Sequence, residues 1–191
     1  MSKLLSPPKT SLLFVLLALN APLFAGELAG VKLPDTVVLE GQPKVLNGLG
    51  LRLATFFKVK VYVAGLYVNE KSTDAAKLLG DTSSKLVRMS FLRDVDAETL
   101  GEAFSDGFEK ACKADECKTF GEAVKAFVKL QPDVKQGDTL DFELLQAEII
   151  VKKNDKELGR VAGVGLGQVV LRVWIGDNPP NPELKVGLLG K

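Results

Sequence analysis

The 191-residue sequence contains no histidine. Without an imidazole, catalytic arrangements of the Ser-His-Asp and Cys-His types are impossible, and haem cannot be held by a proximal histidine. The H-E-x-x-H, P-loop and EF-hand patterns are also missing from the chain. These absences exclude imidazole-based catalysis, and we predict neither a metal site nor a cofactor.

The chain contains only two cysteines, Cys112 and Cys117. Their spacing fits neither a C-x-x-C redox motif nor, without histidine, half of a common zinc site. In an oxidising compartment a disulfide is the expected state of such a pair. It would connect the end of one predicted helix to the start of the next, and two buried free thiols are the alternative.

The chain also lacks an excess of charge of either sign. Its Lys and Arg residues number 25, two of them within residues 1–25, and its Asp and Glu residues number 24. A near-neutral chain without a basic run argues against nucleic acid, or an anionic membrane surface, as a partner. With 46% hydrophobic residues the composition is that of a globular protein. Whether the protein has a protein partner is left open by the sequence.

Residues 1–25 have the layout of a secretory signal peptide. Lys3 and Lys9 supply the positive start, Leu12–Leu19 is uncharged and apolar, and Pro22 precedes a small residue at Ala25. The apolar run is shorter than the roughly 20 residues that span a bilayer. We predict cleavage near Ala25, a periplasmic protein without a stable membrane anchor, and one domain over residues 26–191. An uncleaved membrane anchor is the alternative.

The pattern of apolar residues predicts strands, then helices, then strands, then helices. The predicted strands are Thr36–Glu40, Asn47–Thr55, Phe57–Asn69, Lys85–Leu92, Thr139–Leu145, Ala147–Val151 and Glu157–Val161. The predicted helices are Ser72–Leu79, one from Asp96 to Cys112, one that begins at a Thr119–Glu122 capping box, Leu166–Trp174, and a short one after Asn181. This order favours an α+β fold with an antiparallel or mixed sheet that helices cover on one face.

The predicted strand that begins at Phe57 alternates in polarity. Its apolar face carries Phe57, Val59, Val61 and Val63, and its other face carries Lys58, Lys60 and Tyr62. Further along the chain, the glycines of Gly163–Gly167 precede a helix but lack the G-x-G-x-x-G spacing of a dinucleotide site. We therefore interpret that segment as a tight strand-to-helix turn.

Arg52 is the main candidate for a binding residue. It stands between Leu51 and Leu53 in a predicted strand, where a guanidinium either lies on a wet face, pairs with a carboxylate, or serves a ligand. Its planar fork suits a ligand carboxylate better than a lysine would. Tyr62 has the same parity in the adjoining strand, so both side chains are expected on one face of the sheet.

Two segments resemble the opening of the chalcone isomerase-like family. They are Gly48-Leu49-Gly50-Leu51-Arg52 and the run from Lys60 to Val68, and the ending from Trp174 to Pro179 is similar to the bacterial branch of that family. The resemblance implies an open-faced β-sandwich, in which helices cover a large antiparallel sheet and leave a cleft between them.

The resemblance implies either catalysis or binding. In plant chalcone isomerases the arginine that matches Arg52 polarises the substrate, assisted by a strand Thr and by a Tyr, Lys and Asn on a helix. In fatty-acid-binding relatives that arginine and a strand Tyr hold the ligand carboxylate. Tyr62 occupies the position of the strand Thr, and the helix after Asp96 has no Tyr or Lys at matching places.

We therefore expect a non-catalytic protein that binds a small apolar carboxylate, such as a fatty acid, through Arg52 and Tyr62. The alternative is an isomerase, an intramolecular lyase of chalcone–flavanone type, with Arg52 as its electrophile and only catalytic residue. A third possibility is an assembly or chaperone-like factor, which would need an exposed apolar patch.

Overall fold

A computed structural model describes residues 24–191, so most of the predicted signal peptide lies outside the described residues. Two strands, β1 (Phe24–Leu28) and β2 (Val31–Pro34), form a separate antiparallel hairpin. The remaining strands form one sheet of seven: β3 (Thr36–Leu39), β4 (Gln42–Ala54), β5 (Val59–Val68), β6 (Lys85–Phe91), β7 (Thr139–Leu144), β8 (Glu148–Lys153) and β9 (Lys156–Ala162). Each strand pairs with the next one along the chain, and all of these pairs are antiparallel. The predicted α+β fold with a large antiparallel sheet is confirmed.

Five helices accompany the sheet: α1 (Ala75–Gly80), α2 (Ala97–Ala111), α3 (Ala114–Lys129), α4 (Leu166–Ile175) and α5 (Pro182–Leu188). The main core lies between the sheet and these helices. At its centre Phe104 of α2 makes edge-to-face contacts with Phe127, Phe142 and Trp174, at centroid distances of 5.2, 5.3 and 5.7 Å. These rings fill most of the space between the two layers. Within residues 24–191, no helix is both long enough and apolar enough to cross a membrane.

The opposite face of the sheet is also partly covered. Leu33 of β2 packs there with Leu46 and Tyr67, so the β1–β2 hairpin closes a second, smaller core. From Tyr62 onward β5 is therefore buried on both faces. The predicted division of this strand into an apolar and a polar face is wrong, because Tyr62 belongs to the main core under the helices.

Several predicted boundaries differ from the structure, including the start of β4 at Gln42 instead of Asn47. Strand β5 begins at Val59, and Phe57 lies in the exposed turn before it. Helix α3 begins at Ala114, where the Glu116 carboxylate accepts a hydrogen bond from the Lys113 amide at 2.9 Å. Acidic side chains in that first turn favour an earlier start through the helix dipole. The Thr119–Glu122 capping box is therefore wrong, since Thr119 lies within the helix.

Two other local predictions are confirmed. Cys112, at the end of α2, is joined to Cys117 in the first turns of α3 by a disulfide. The glycine-rich segment between β9 and α4 is a turn, in which Gly165 takes a φ of 85° and caps α4. This positive φ is costly for residues with a Cβ and is open to glycine.

Candidate functional site

Arg52 of β4 and Tyr62 of β5 lie directly opposite each other in the antiparallel sheet. Residues that face each other across such a pair project from the same side of the sheet. Here that side is the one covered by helices, and both side chains line one cavity there. The predicted common face of the two residues is confirmed.

A β-bulge follows Arg52, because Leu53 pairs with Lys60 and Val61 is skipped. A bulge bends the strand and redirects the side chains next to it. Asn181 is the N-cap residue of α5, and its side-chain amide forms hydrogen bonds to the backbone on both sides of this bulge. It accepts from the Leu53 amide at 3.2 Å and donates to the Leu51 carbonyl at 3.1 Å. Asn181 therefore positions the backbone that carries Arg52, whereas its sequence context indicated only a helix start.

Tyr62 is buried, with 7% of its surface exposed. The indole Nε1 of Trp174 donates a hydrogen bond to its hydroxyl at 3.2 Å. Burial raises the pKa of Tyr62 to about 12, and the Trp174 hydrogen bond and the Arg52 charge act in the opposite direction. The phenol is therefore neutral at physiological pH. Because indole is only a donor, the hydroxyl proton remains available to an acceptor in the cavity.

The charge of Arg52 is not neutralised within residues 24–191. Of the five arginines in the sequence, three form ion pairs: Arg88 with Asp141, Arg160 with Glu148 and Glu157, and Arg172 with Glu116. The Arg52 guanidinium instead donates to the backbone carbonyl of Leu53. No carboxylate of the described chain lies within ion-pair distance of Arg52 or of Arg93.

Arg52 stands at the junction of two spaces. The inner cavity has a volume of about 50 Å³, and its apolar wall includes Met89, Leu100, Phe104 and Val173. The outer cleft has a volume of about 320 Å³ and is lined by Arg52, Ala54, Val61, Arg93, Asp94, Val95, Asp96, Thr99, Leu100 and Ala103. The inner cavity holds only a few water-sized groups, whereas the cleft reaches the lower end of the usual volume of small-molecule sites.

The two acidic residues of the outer cleft already have partners. Asp94 accepts from the Gln136 amide at 2.9 Å and pairs with Lys135 at 3.0 Å, and Asp96 accepts from the Thr99 amide at 2.7 Å. These hydrogen bonds lower the pKa of both carboxyl groups, chiefly through the two backbone amides. Both carboxylates are occupied, so Arg52 and Arg93 are the cations in the cleft that remain for a ligand.

Sequence reasoning did not identify Arg93. Arg93 lies two residues after Phe91, the β6 partner of Tyr62, and this pairing is known only from the structure. Helix α2 faces Arg52 with apolar side chains, Leu100, Ala103 and Phe104. The site can therefore bind an anion and offer one phenolic hydrogen bond beside an apolar wall. Among the described residues, no group of three or more Cys, Asp or Glu side chains is arranged to hold a metal ion.

The comparisons with known proteins agree with this fold. A family model described as chalcone isomerase-like matches residues 25–190. The crystal structure of a fatty-acid binding protein from Arabidopsis thaliana has the same fold, with a TM-score of 0.64 and 17% sequence identity. That similarity covers 84% of this chain and 92% of the other. No curated protein sequence matches the chain.

Proposed function

Because this chain belongs to the chalcone isomerase-like family, we propose that it binds a small, largely apolar carboxylate such as a fatty acid, without turning it over. The observation that carries the proposal is the guanidinium of Arg52, which has no carboxylate partner within residues 24–191 and stands beside a neutral phenol. Arg52 is half-buried beside an apolar wall, so a ligand carboxylate would give its guanidinium the ion pair that the described chain does not supply.

In this mode of binding, the ligand carboxylate lies against Arg52 and accepts the hydroxyl proton of Tyr62. The apolar chain follows the outer cleft between the β4–β5 pair and α2, along Ala54, Val61 and Leu100. The aromatic rings of the core leave no room for a long chain to continue inward, since the inner cavity is only about 50 Å³. A short or medium-length acid therefore fits better than a long one. Binding in the periplasm is part of the proposal and rests on the leader alone.

The isomerase alternative uses the same arginine as an electrophile. It also needs groups that order water and stabilise an oxyanion. The α2 residues that line the cavities beside Arg52 are Thr99, Leu100, Ala103 and Phe104, and the hydroxyl of Thr99, the one polar side chain among them, already donates to Asp96. The hydroxyl of Tyr62 has a pKa of about 12, so it is a poor acid–base catalyst near neutral pH. These features favour binding. The third alternative, a chaperone-like factor, needs a broad apolar patch, and most exposed apolar side chains of the described chain are isolated valines.

The test is calorimetric titration of wild type and Arg52→Ala with octanoic acid and with octanol. We expect the substitution to weaken acid binding by about 2–4 kcal/mol, because a charged acceptor loses its bidentate partner, and to leave alcohol binding nearly unchanged. The thermal melt should hardly move, because the guanidinium forms no ion pair in the described chain.

Arg160→Ala is the matched control, since it removes a guanidinium from β9 and should leave both affinities unchanged. Equal acid affinity in wild type and Arg52→Ala would refute the site. Chalcone cyclisation should stay at the uncatalysed rate in the same protein. Turnover of a chalcone that disappears in Arg52→Ala would instead establish the isomerase.

A further inference from the structure

The turn between β4 and β5 exposes two adjacent phenylalanines. Phe56 and Phe57 are 95% and 85% exposed, and their rings contact each other edge to face at a centroid distance of 6.0 Å. Thr55 and Lys58 take positive φ values of 60° and 51°, and the Lys58 amide donates to the Thr55 carbonyl at 3.2 Å. This closed turn projects both rings into solvent, and we refer to Thr55–Lys58 as the hairpin tip.

The hairpin tip lies next to the outer cleft. Ala54, which directly precedes the tip on β4, and Val61, three residues after it on β5, line that cleft, and Arg52 is two positions before Ala54. A surface that the two rings contact would therefore lie close to the cleft that contains Arg52.

The strand ends at the hairpin tip carry an excess of positive charge. Lys58 and Lys60 are exposed and form no ion pair within residues 24–191, and no acidic residue occurs between Arg52 and Val68. Lys58 lies near enough to Glu183 of α5 for its charge to act on that carboxylate. Arg52 and Arg93 add two more cations at the cleft, whose two acidic residues already have partners. The chain as a whole is near neutral, so this excess of cations is local.

We propose that the hairpin tip inserts Phe56 and Phe57 into the surface of an anionic lipid bilayer, so that the cleft exchanges its ligand with the membrane. The contact with the bilayer is inferred from the hairpin tip alone, whereas the exchange of ligand with the membrane rests on the proposed function. Aromatic rings that project beside lysines suit the interface between head groups and acyl chains. Anionic lipids attract each lysine near the surface.

The size of the patch favours a bilayer over a protein partner. Two phenylalanine side chains offer roughly 150–250 Å² each, which is well below the approximately 800 Å² that each partner contributes to a standard protein interface. Membrane insertion needs only the rings themselves. The contact is reversible and peripheral, and it is compatible with the predicted absence of a stable membrane anchor.

The test is flotation of the purified protein, with its N-terminus checked by sequencing, on phosphatidylcholine vesicles with and without phosphatidylglycerol. Wild type should bind the anionic vesicles more strongly, and Phe56→Ser with Phe57→Ser should lower that affinity by about tenfold or more. Lys58→Gln with Lys60→Gln should lower it by roughly tenfold at low salt. Val38→Ser, which removes a 76% exposed side chain from the edge strand β3, is the matched control and should bind like wild type.

A depth measurement tests insertion directly. In Phe57→Trp, brominated lipids should quench the new indole, whereas the buried Trp174 of wild type should be unaffected. Unquenched Trp fluorescence, or equal vesicle binding by wild type and the double serine variant, would overturn the proposal. Sedimentation that depends on protein concentration in wild type only would assign the patch to a second copy of the chain and would overturn it as well.

The two proposals fail separately. Without vesicles, the double serine variant should bind octanoic acid like wild type, because the rings lie outside the site. Arg52→Ala should lose affinity for octanoic acid and should bind vesicles nearly as strongly as wild type. If ligand transfer from vesicles is as fast in the double serine variant as in wild type, the membrane role is refuted even where acid binding stands.

Discussion

Tyr62 combines three properties that are rarely found together in a core residue. It is almost fully buried, its hydroxyl accepts a hydrogen bond from Trp174, and it lies opposite an arginine without a carboxylate partner in the described chain. Burial keeps the phenol protonated, so its proton can be donated to an anion beside Arg52. The arrangement resembles a binding site more than a structural pair, since neither side chain completes the hydrogen bonding of the other.

The raised pKa of Tyr62 predicts a loss of stability at alkaline pH. The folded pKa of about 12 lies above the ordinary value of 10.0, so the stabilisation is complete below pH 10 and is lost as pH rises through the folded pKa. In the unfolded chain the phenol ionises first, and the difference amounts to about 2–3 kcal/mol. Tyr62→Phe should therefore show a shallower fall in the free energy of unfolding between pH 10 and 12.

Denaturant titrations of both proteins across that range would measure the difference. Tyr67→Phe serves as the comparison, because burial also raises the pKa of Tyr67, on the other face of β5. Acid binding by Tyr62→Phe should weaken by only about 1–2 kcal/mol, since one hydroxyl is lost and the ring remains. Parallel pH curves for wild type and Tyr62→Phe would contradict the assigned pKa.

The contact between β4 and α5 explains why the Gly-Leu-Gly-Leu-Arg segment carries glycines. A Cβ at Gly48 would meet the Gly190 amide nitrogen at 2.7 Å and would collide with the Gly187 carbonyl, and one at Gly50 would collide with the Leu184 carbonyl. The helix thus packs backbone to backbone on the strand. This close approach also brings Asn181 to the bulge beside Arg52.

Gly48→Ala should destabilise the protein by about 1–3 kcal/mol or more, because backbone atoms on both sides leave no room for the methyl group. Displacement of α5 should also weaken acid binding, since Asn181 would move away from the bulge. Gly121→Ala is the control: nothing lies within 4 Å of its added Cβ, and the better helix former should stabilise α3 slightly. Thermal melts decide the point, and equal melting temperatures for wild type and Gly48→Ala would contradict it.

The disulfide joins two consecutive helices over a very short loop. Cys112 and Cys117 are five positions apart, so the cross-link removes little freedom from the unfolded chain. Replacing both by serine should cost about 1–3 kcal/mol, below the figure for long loops. Thermal melts of wild type with and without reductant should show the same loss in the free energy of unfolding. Two titratable thiols in freshly purified wild type would show that the bond is absent in the cell.

At the scale of the whole molecule, the seven strands follow one another in chain order, so the sheet can form by successive antiparallel pairing. The site lies where this sheet, α2, α4 and the start of α5 meet. No single element contains it, and the hairpin tip is next to the outer cleft. The site and the hairpin tip therefore both depend on the β4–β5 pair.

Export is predicted from the leader. N-terminal sequencing of the secreted protein should begin at or near Gly26. Cleavage there would leave Gly26, Glu27 and Leu28 of β1 to pair with β2, so the hairpin over the second core would survive. The Lys3→Glu variant should be exported less efficiently, because it weakens the positive start of the leader. Full-length wild type recovered from the cytoplasm would contradict the prediction.

The sequence by itself determined the order of strands β3–β9 and of the helices, the disulfide and the common face of Arg52 and Tyr62, whereas the β1–β2 hairpin was not predicted. Each of these follows from local spacing: alternation along a strand, periodicity along a helix, and equal parity across one turn. The family resemblance added the open-faced sandwich, which the sheet and its helices confirm.

Only the tertiary structure showed that β5 is buried on both faces. The helices cover one face and the β1–β2 hairpin covers the other, so the alternation of polar and apolar residues does not identify the inner face. The tertiary structure also decided that Asn181 holds the bulge and that Arg93 shares the cleft, since these contacts join residues distant in the chain. The positive charge near the cleft has both origins. Lys58 and Lys60 are neighbours in the sequence, and the fold adds Arg93 beside Arg52.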